Sequence, residues 1–139
     1  ALLDWGSLGW DHWARLAIGL PIMVVGAFVT VRGYVWLGWR NTYGEPDGLV
    51  TGGLYEYSRN PQYVASVLAT IGLGLTANSF GTLLLAGGLF LLYLLFALNE
   101  EPWLREGYGE AYREYARKTP RFVDERTFAR ARERIEAAL

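Results

Sequence analysis

From position 60 to position 99 the chain runs for 40 consecutive residues without a charged side chain, closed by Arg59 on one side and by the adjacent pair Glu100-Glu101 on the other. A bilayer crossing takes about 20 apolar residues, so the run is long enough for two. Its middle holds Ala77-Asn78-Ser79-Phe80-Gly81, a turn-forming set. A helical hairpin through lipid therefore returns Arg59 and the Glu pair to the same membrane face. A soluble hairpin with a very apolar core is the alternative. It needs a polar stripe on its helices, and residues 83–98 offer none.

Composition narrows the chemistry. A chain of 139 residues is one domain. It contains no cysteine, so disulfide frameworks and thiolate metal sites are excluded. Its single histidine, His12, argues against histidine-based zinc or triad chemistry and reads as an interfacial residue. No metal site is expected. The net charge of −1 gives nucleic acid no electrostatic footprint. Acidic and aromatic residues, rather than a basic segment, precede the first apolar run, so no cleavable signal pattern is visible.

The expected architecture is an all-α membrane protein with about three transmembrane helices and a cytoplasmic C-terminal helical tail. The spans fall at residues 13–39, 61–76 and 82–98, and the tail at 100–139, in a single domain covering 1–139. Pro21 is expected to kink the first span. The second is short for a full crossing and calls for tilt or burial. Nine of the thirteen basic residues follow Glu101, Arg40 and Arg59 lie between the first two spans, and the turn at Asn78 has none. That bias places the N-terminus outside and the tail in the cytoplasm. Trp5, Trp10 and Trp13 form one interfacial belt, and Trp36, Trp39 and Trp103 the other. An inner membrane of bacterial or archaeal type is the expected location. In the tail, Glu106, Glu110 and Glu114 meet Arg113, Arg117 and Lys118 at helical spacings, and Pro120 ends that helix. A last helix near residues 125–138 carries Phe128, Ala131 and Ile135 on one stripe and reads as a docking helix, with a membrane-surface helix as its alternative.

Two motifs need weighing. Gly72-Leu73-Gly74-Leu75-Thr76-Ala77 has the letters of a dinucleotide fingerprint but no preceding strand; small residues in an apolar span serve close helix packing instead. Arg59-Asn60-Pro61-Gln62-Tyr63 is partly explained by helix initiation, with Asn60 as cap and Pro61 in the first turn. Arg59 and the tyrosines around it are not explained that way. Glu100 and Glu101 repel one another, and a cationic ligand near them would relieve that. Tyr108, Tyr112 and Tyr115 share one helical side, either packing the tail or lining a pocket.

The segment Leu49-Val50-Thr51-Gly52-Gly53-Leu54-Tyr55, then Arg59-Asn60-Pro61-Gln62-Tyr63, Glu100-Glu101, Tyr108-Gly109, Tyr112, Tyr115 and Pro120 together resemble the isoprenylcysteine carboxyl methyltransferase and phospholipid methyltransferase superfamily. The resemblance covers roughly residues 47–122. It implies an integral-membrane enzyme that uses S-adenosylmethionine from the cytoplasmic side. Carried over by position, Asp47, Gly48, Leu49, Val50, Tyr55, Asn60, Pro61, Gln62, Tyr63, Glu100 and Tyr112 would bind the cofactor, with Arg59 and Glu101 in catalytic roles. Tyrosine faces and carboxylates suit a sulfonium cation. Three positions depart from the pattern: Asn60 replaces a histidine, Ala65 a glycine, and Phe96 an arginine that serves a carboxylate substrate. An amine, thiol or phenol on a lipophilic small molecule or lipid is thus as suitable an acceptor as a carboxylate. The resemblance also implies one or two N-terminal spans that are expected to have no counterpart here, so that the pocket-forming part remains while the substrate tunnel is either incomplete or completed by another chain. The expected partners are membrane lipid and the lipophilic substrate, with a homodimer or a larger membrane assembly as the oligomeric options. A non-catalytic membrane subunit that keeps the fold is the alternative function, and a lipid reductase a weaker third.

Overall fold

The computed structural model describes residues 1–42 and 48–139; Asp47 lies outside the described residues. Every regular element among them is helical: α1 (Ala14–Leu37), α2 (Trp39–Thr42), a 3-10 turn (Gly53–Glu56), α3 (Pro61–Thr76), α4 (Phe80–Lys118) and α5 (Glu125–Ala138). Two of these, α1 and α4, are long and apolar enough to cross a membrane, with mean hydropathies of 2.0 and 2.2. At 16 residues, α3 falls short of that length.

The element boundaries differ from the sequence expectation for local reasons. Helix α1 stops at Leu37 because Gly38 turns left-handed at φ 85°, and its N–H returns to the Tyr34 carbonyl at 3.1 Å. The third span and the helical tail, expected as segments at 82–98 and 100–139, are not separate helices at that point. Instead α4 continues for 39 residues through Pro102, which costs the Leu98 carbonyl its helical partner. Its interruption comes later, at Gly109 (φ 57°, ψ −129°), so Tyr108 and Tyr112 do not share an unbroken helical face.

The chain divides into two compact units, residues 1–31 with 62–94 and residues 32–61 with 95–139. In the first, α1 and α3 approach backbone to backbone. A Cβ added at Gly26 would lie 2.7 Å from Ala69 N, and one at Gly19 would lie 2.8 Å from Thr76 N. Thr30 Oγ1 and Ser66 Oγ share a hydrogen bond of 3.3 Å along the same seam. The turn between α3 and α4 uses Asn78 at φ 53°, a conformation asparagine tolerates better than most residues. Ser79 caps α4, its Oγ accepting the Thr82 N–H at 3.1 Å. The N-terminal segment clasps that turn. Asp4 accepts from Ser79 Oγ at 2.6 Å and from Gly81 N–H at 2.7 Å, placing a carboxylate at the positive end of α4. Leu8 N–H donates to the Asn78 carbonyl at 2.9 Å.

The second unit is tied by polar side chains. Gly53 sits at φ 61°, and a Cβ there would lie 2.8 Å from the Trp36 ring, so both conformation and space demand glycine. Tyr115 donates to the Tyr55 carbonyl at 2.7 Å. Helix α5 begins with a capping box formed by Asp124 and Thr127, and Thr127 Oγ1 reaches the Tyr57 carbonyl at 2.8 Å. Arg134 pairs with Glu56 at 2.5 Å. Thus α5 docks through its polar side, while Phe128 and Ile135 face outward.

Candidate functional site

Within the second unit, three separated stretches of sequence meet: the Ser58-Arg59-Asn60 motif, the 101–115 portion of α4, and the Thr119-Pro120-Arg121 segment. The motif is held by backbone first. Arg59 N–H donates to the Pro120 carbonyl at 2.8 Å, and Asn60 Nδ2 donates to the Arg121 carbonyl at 3.1 Å. Ser58 Oγ donates to the same carbonyl at 3.4 Å and accepts the Asn60 N–H at 3.1 Å. Asn60 therefore uses its side chain to fasten the tail segment.

Glu101 is the centre of the cluster and only 6% exposed. Arg121 grips it with both arms of its fork, Nε to Oε1 at 2.7 Å and Nη2 to Oε2 at 2.9 Å. Arg59 Nη1 lies 3.0 Å from Oε1 and Arg105 Nη2 lies 3.7 Å from Oε2. Arg59 Nη1 also donates to the Tyr112 hydroxyl at 2.9 Å, with its guanidinium 5.9 Å from the Tyr112 ring centroid. Burial raises the Glu101 pKa, but the Arg121 hydrogen bond and the charges of Arg59, Arg121 and Arg105 more than offset it and hold the carboxyl below its usual range. Burial pushes the Tyr112 phenol up, so it stays neutral at ordinary pH. Arg59 Nε is buried with no hydrogen-bond partner among the described residues, an unusual state for a buried donor.

The candidate residues distribute unevenly. Arg59, Asn60, Glu101 and Tyr112 come together here. Tyr55 is buried in the 3-10 turn, with its hydroxyl 3.4 Å from the Gly33 carbonyl. Pro61 starts α3 and is buried, Gly48 is exposed at φ 97°, and Leu49 and Val50 are half-buried. Glu100, one position from Glu101, is exposed, because adjacent residues on a helix point about 100° apart. Gln62 and Tyr63 belong to the first unit. There Tyr63 stacks on Tyr93 with ring centroids 4.3 Å apart and planes 5° from parallel. The positive charge expected near the Glu pair is supplied by the protein's own arginines. Arg121 and Arg105 were not among the candidates. For Arg121 the only local signal is a lone charge in Thr119-Pro120-Arg121-Phe122-Val123.

A cavity of about 390 Å³ also lies in this unit, lined by Thr51, Glu56, Tyr115, Lys118, Arg126 and Arg130 among others. That volume is within the usual range for small-molecule pockets, about 300–1,000 Å³. The unit thus holds carboxylates already paired with arginines, a cavity whose lining includes the cations Lys118, Arg126 and Arg130, and one buried donor without a partner among the described residues, a set suited to a ligand rich in acceptors.

The phospholipid methyltransferase family matches residues 14–111. The cobalt-zinc-cadmium resistance protein CzcN of Cupriavidus metallidurans is 31% identical over 123 residues, 88% of this chain and 56% of that protein. The nickel-cobalt-cadmium resistance protein NccN of Alcaligenes xylosoxydans xylosoxydans is 29% identical over 119 residues, 84% of this chain and 55% of that protein. The protein-S-isoprenylcysteine O-methyltransferase of Schizosaccharomyces pombe is 33% identical over 73 residues, 52% of this chain and 31% of that protein. The chain spans about half the length of the two resistance proteins and less of the third. No solved structure matches. With the match running from the start of α1 into the far part of α4, the chain belongs to the phospholipid methyltransferase family.

Proposed function

We propose that this chain is the S-adenosylmethionine-dependent core of a membrane methyltransferase acting on a lipophilic or lipid acceptor. The observation that carries the proposal is the Arg59–Glu101–Tyr112 cluster, assembled from the motif and the helix whose residues bear the family resemblance. When bound, S-adenosylmethionine supplies an electrophilic methyl group on a sulfonium. Within the second unit, Tyr55, Asn60, Glu100 and Tyr112 would hold it, Arg59 Nε would donate to one of its acceptors, and Glu101 would keep Arg59 in place. Most of the rate would come from positioning an incoming nucleophile. The same proposal includes three crossings at residues 13–39, 61–76 and 82–98, with the N-terminus outside and the tail in the cytoplasm. The test is calorimetric titration of purified protein in detergent with S-adenosylhomocysteine. Saturable binding, abolished in Glu100→Ala, supports the proposal. No binding of either the cofactor or its demethylated product at millimolar concentration ends it.

A second function has specific support. Three arginines already occupy the Glu101 carboxylate, and two relatives carry names of metal-resistance proteins. A non-catalytic subunit of a larger membrane assembly would use the cluster as a structural clamp. It predicts co-purification with that assembly and no affinity for S-adenosylhomocysteine.

A further inference from the structure

We propose that Arg121 is a positioning residue for the methyltransferase site, holding Glu101 so that Glu101 in turn sets Arg59 against Tyr112. The role rests on the methyltransferase proposal above. Arg121 touches neither Arg59 nor Tyr112 by any hydrogen bond of its side chain seen here; its fork is spent on both Glu101 oxygens, at 2.7 and 2.9 Å. Glu101 Oε1 then sits 3.0 Å from Arg59 Nη1, and that same nitrogen donates to the Tyr112 hydroxyl at 2.9 Å. A glutamate carboxylate, whose plane turns freely about its terminal torsion, cannot direct a guanidinium unless something fixes that plane. A planar bidentate fork does this, whereas a single ammonium does not.

The backbone of the same residue reinforces the arrangement. The Arg121 carbonyl accepts from Asn60 Nδ2 at 3.1 Å and from Ser58 Oγ at 3.4 Å, and the Pro120 carbonyl accepts from Arg59 N–H at 2.8 Å. Side chain and main chain of one short segment therefore fix both ends of Arg59, its peptide and its guanidinium. Orienting Arg59 in this way determines where its buried Nε–H points.

The charged and titratable groups facing Glu101 are Arg59 from the motif, Arg105 and Tyr112 from α4, and Arg121 from the segment after it. With Arg121 gone, Arg59 and Arg105 remain, and the carboxyl pKa moves upward toward its ordinary range. A depressed carboxylate keeps its ionised function above its folded pKa and loses it as pH falls through that value. Removing Arg121 therefore moves the acid limb to higher pH.

The experiment titrates wild type, Arg121→Gln and Arg121→Lys with S-adenosylhomocysteine between pH 4 and 8, beside thermal unfolding of each. Arg121→Gln is expected to weaken binding about tenfold at pH 7 and to move the acid limb upward by about one pH unit. Arg121→Lys, which restores charge without the fork, falls between the two. A merely structural arginine would lower the unfolding midpoint and leave the pH profile of binding unmoved. Binding in Arg121→Gln that matches wild type in affinity and pH profile overturns the role while leaving the methyltransferase proposal intact. Absence of binding by wild type removes both.

Discussion

The two units are built on opposite principles. In the first, α1 and α3 touch through glycine and alanine, and small residues provide adhesion by letting backbones approach. In the second, a buried carboxylate, three arginines and two tyrosines do the joining. Seams of the first kind tolerate no added volume and are indifferent to pH. Networks of the second kind tolerate modest changes of shape but fail when one charge is removed. The candidate chemistry lies in the network, where charge is already concentrated and oriented.

Breaking the network at its centre should have the largest effect. Glu101→Ala leaves Arg59 and Arg121 as uncompensated cations in a half-desolvated site, at a cost of about 3–5 kcal/mol. Denaturant unfolding in detergent micelles measures it, and binding of S-adenosylhomocysteine should vanish in the same variant. Wild type should also lose stability as the pH drops below the ordinary carboxylate range, because Glu101 is ionised until its depressed pKa is passed. The variant should lack that acid dependence. If its acid limb survives unchanged, the second unit is not held by this carboxylate and the contrast between the units fails.

The next effect belongs to the glycine seam. Gly72→Val forces a side chain onto the Met23 backbone, where no flexible group can yield, and overpacking of this kind costs about 1–3 kcal/mol. The unfolding midpoint should fall while the acid dependence runs parallel to wild type. A change in pH dependence here would mean that the two modes of assembly are not separable.

How far the residues foretold this contrast differs between the two halves. The uncharged run from 60 to 99 announced the apolar helices, and Asn78-Ser79 announced the turn, because both signals are local: side-chain transfer and backbone propensity act within a few residues. The Arg59–Glu101 pair was legible as two motifs of interest, though not as an ion pair, since nothing in spacing says which cation a carboxylate 42 positions away will choose. Arg121 was missed for the same reason, being 20 positions from its partner across the break at Gly109. That break hid the tail's geometry as well: glycine at 109 reads equally as tolerated helix or as interruption until φ is known. The length of α4 was not legible either: the sequence marks a span at 82–98 and a helical tail from 100, and the helix runs through both, past Pro102, for 39 residues.

The smallest effect sharpens the contrast at an exception to it, the Asp4 carboxylate in the first unit. The hydrogen bond from Ser79, together with the Gly81 N–H, holds the Asp4 pKa down to about 2. A depressed carboxyl stabilises the fold above its unfolded pKa and ceases to do so as pH falls through the folded value. Asp4→Asn keeps the size and removes the charge at the start of α4, so its unfolding midpoint should lie slightly below that of wild type at pH 7. The two should converge as the pH approaches 2, where wild type has itself lost the charge. Because Asp4 is solvent-accessible, salt should shrink the difference at pH 7, while it leaves the larger deficit of Glu101→Ala mostly in place. Equal salt sensitivity of the two variants would mean that the Glu101 cluster is solvated like the N-terminal clasp, and that its arginines do not form a desolvated network.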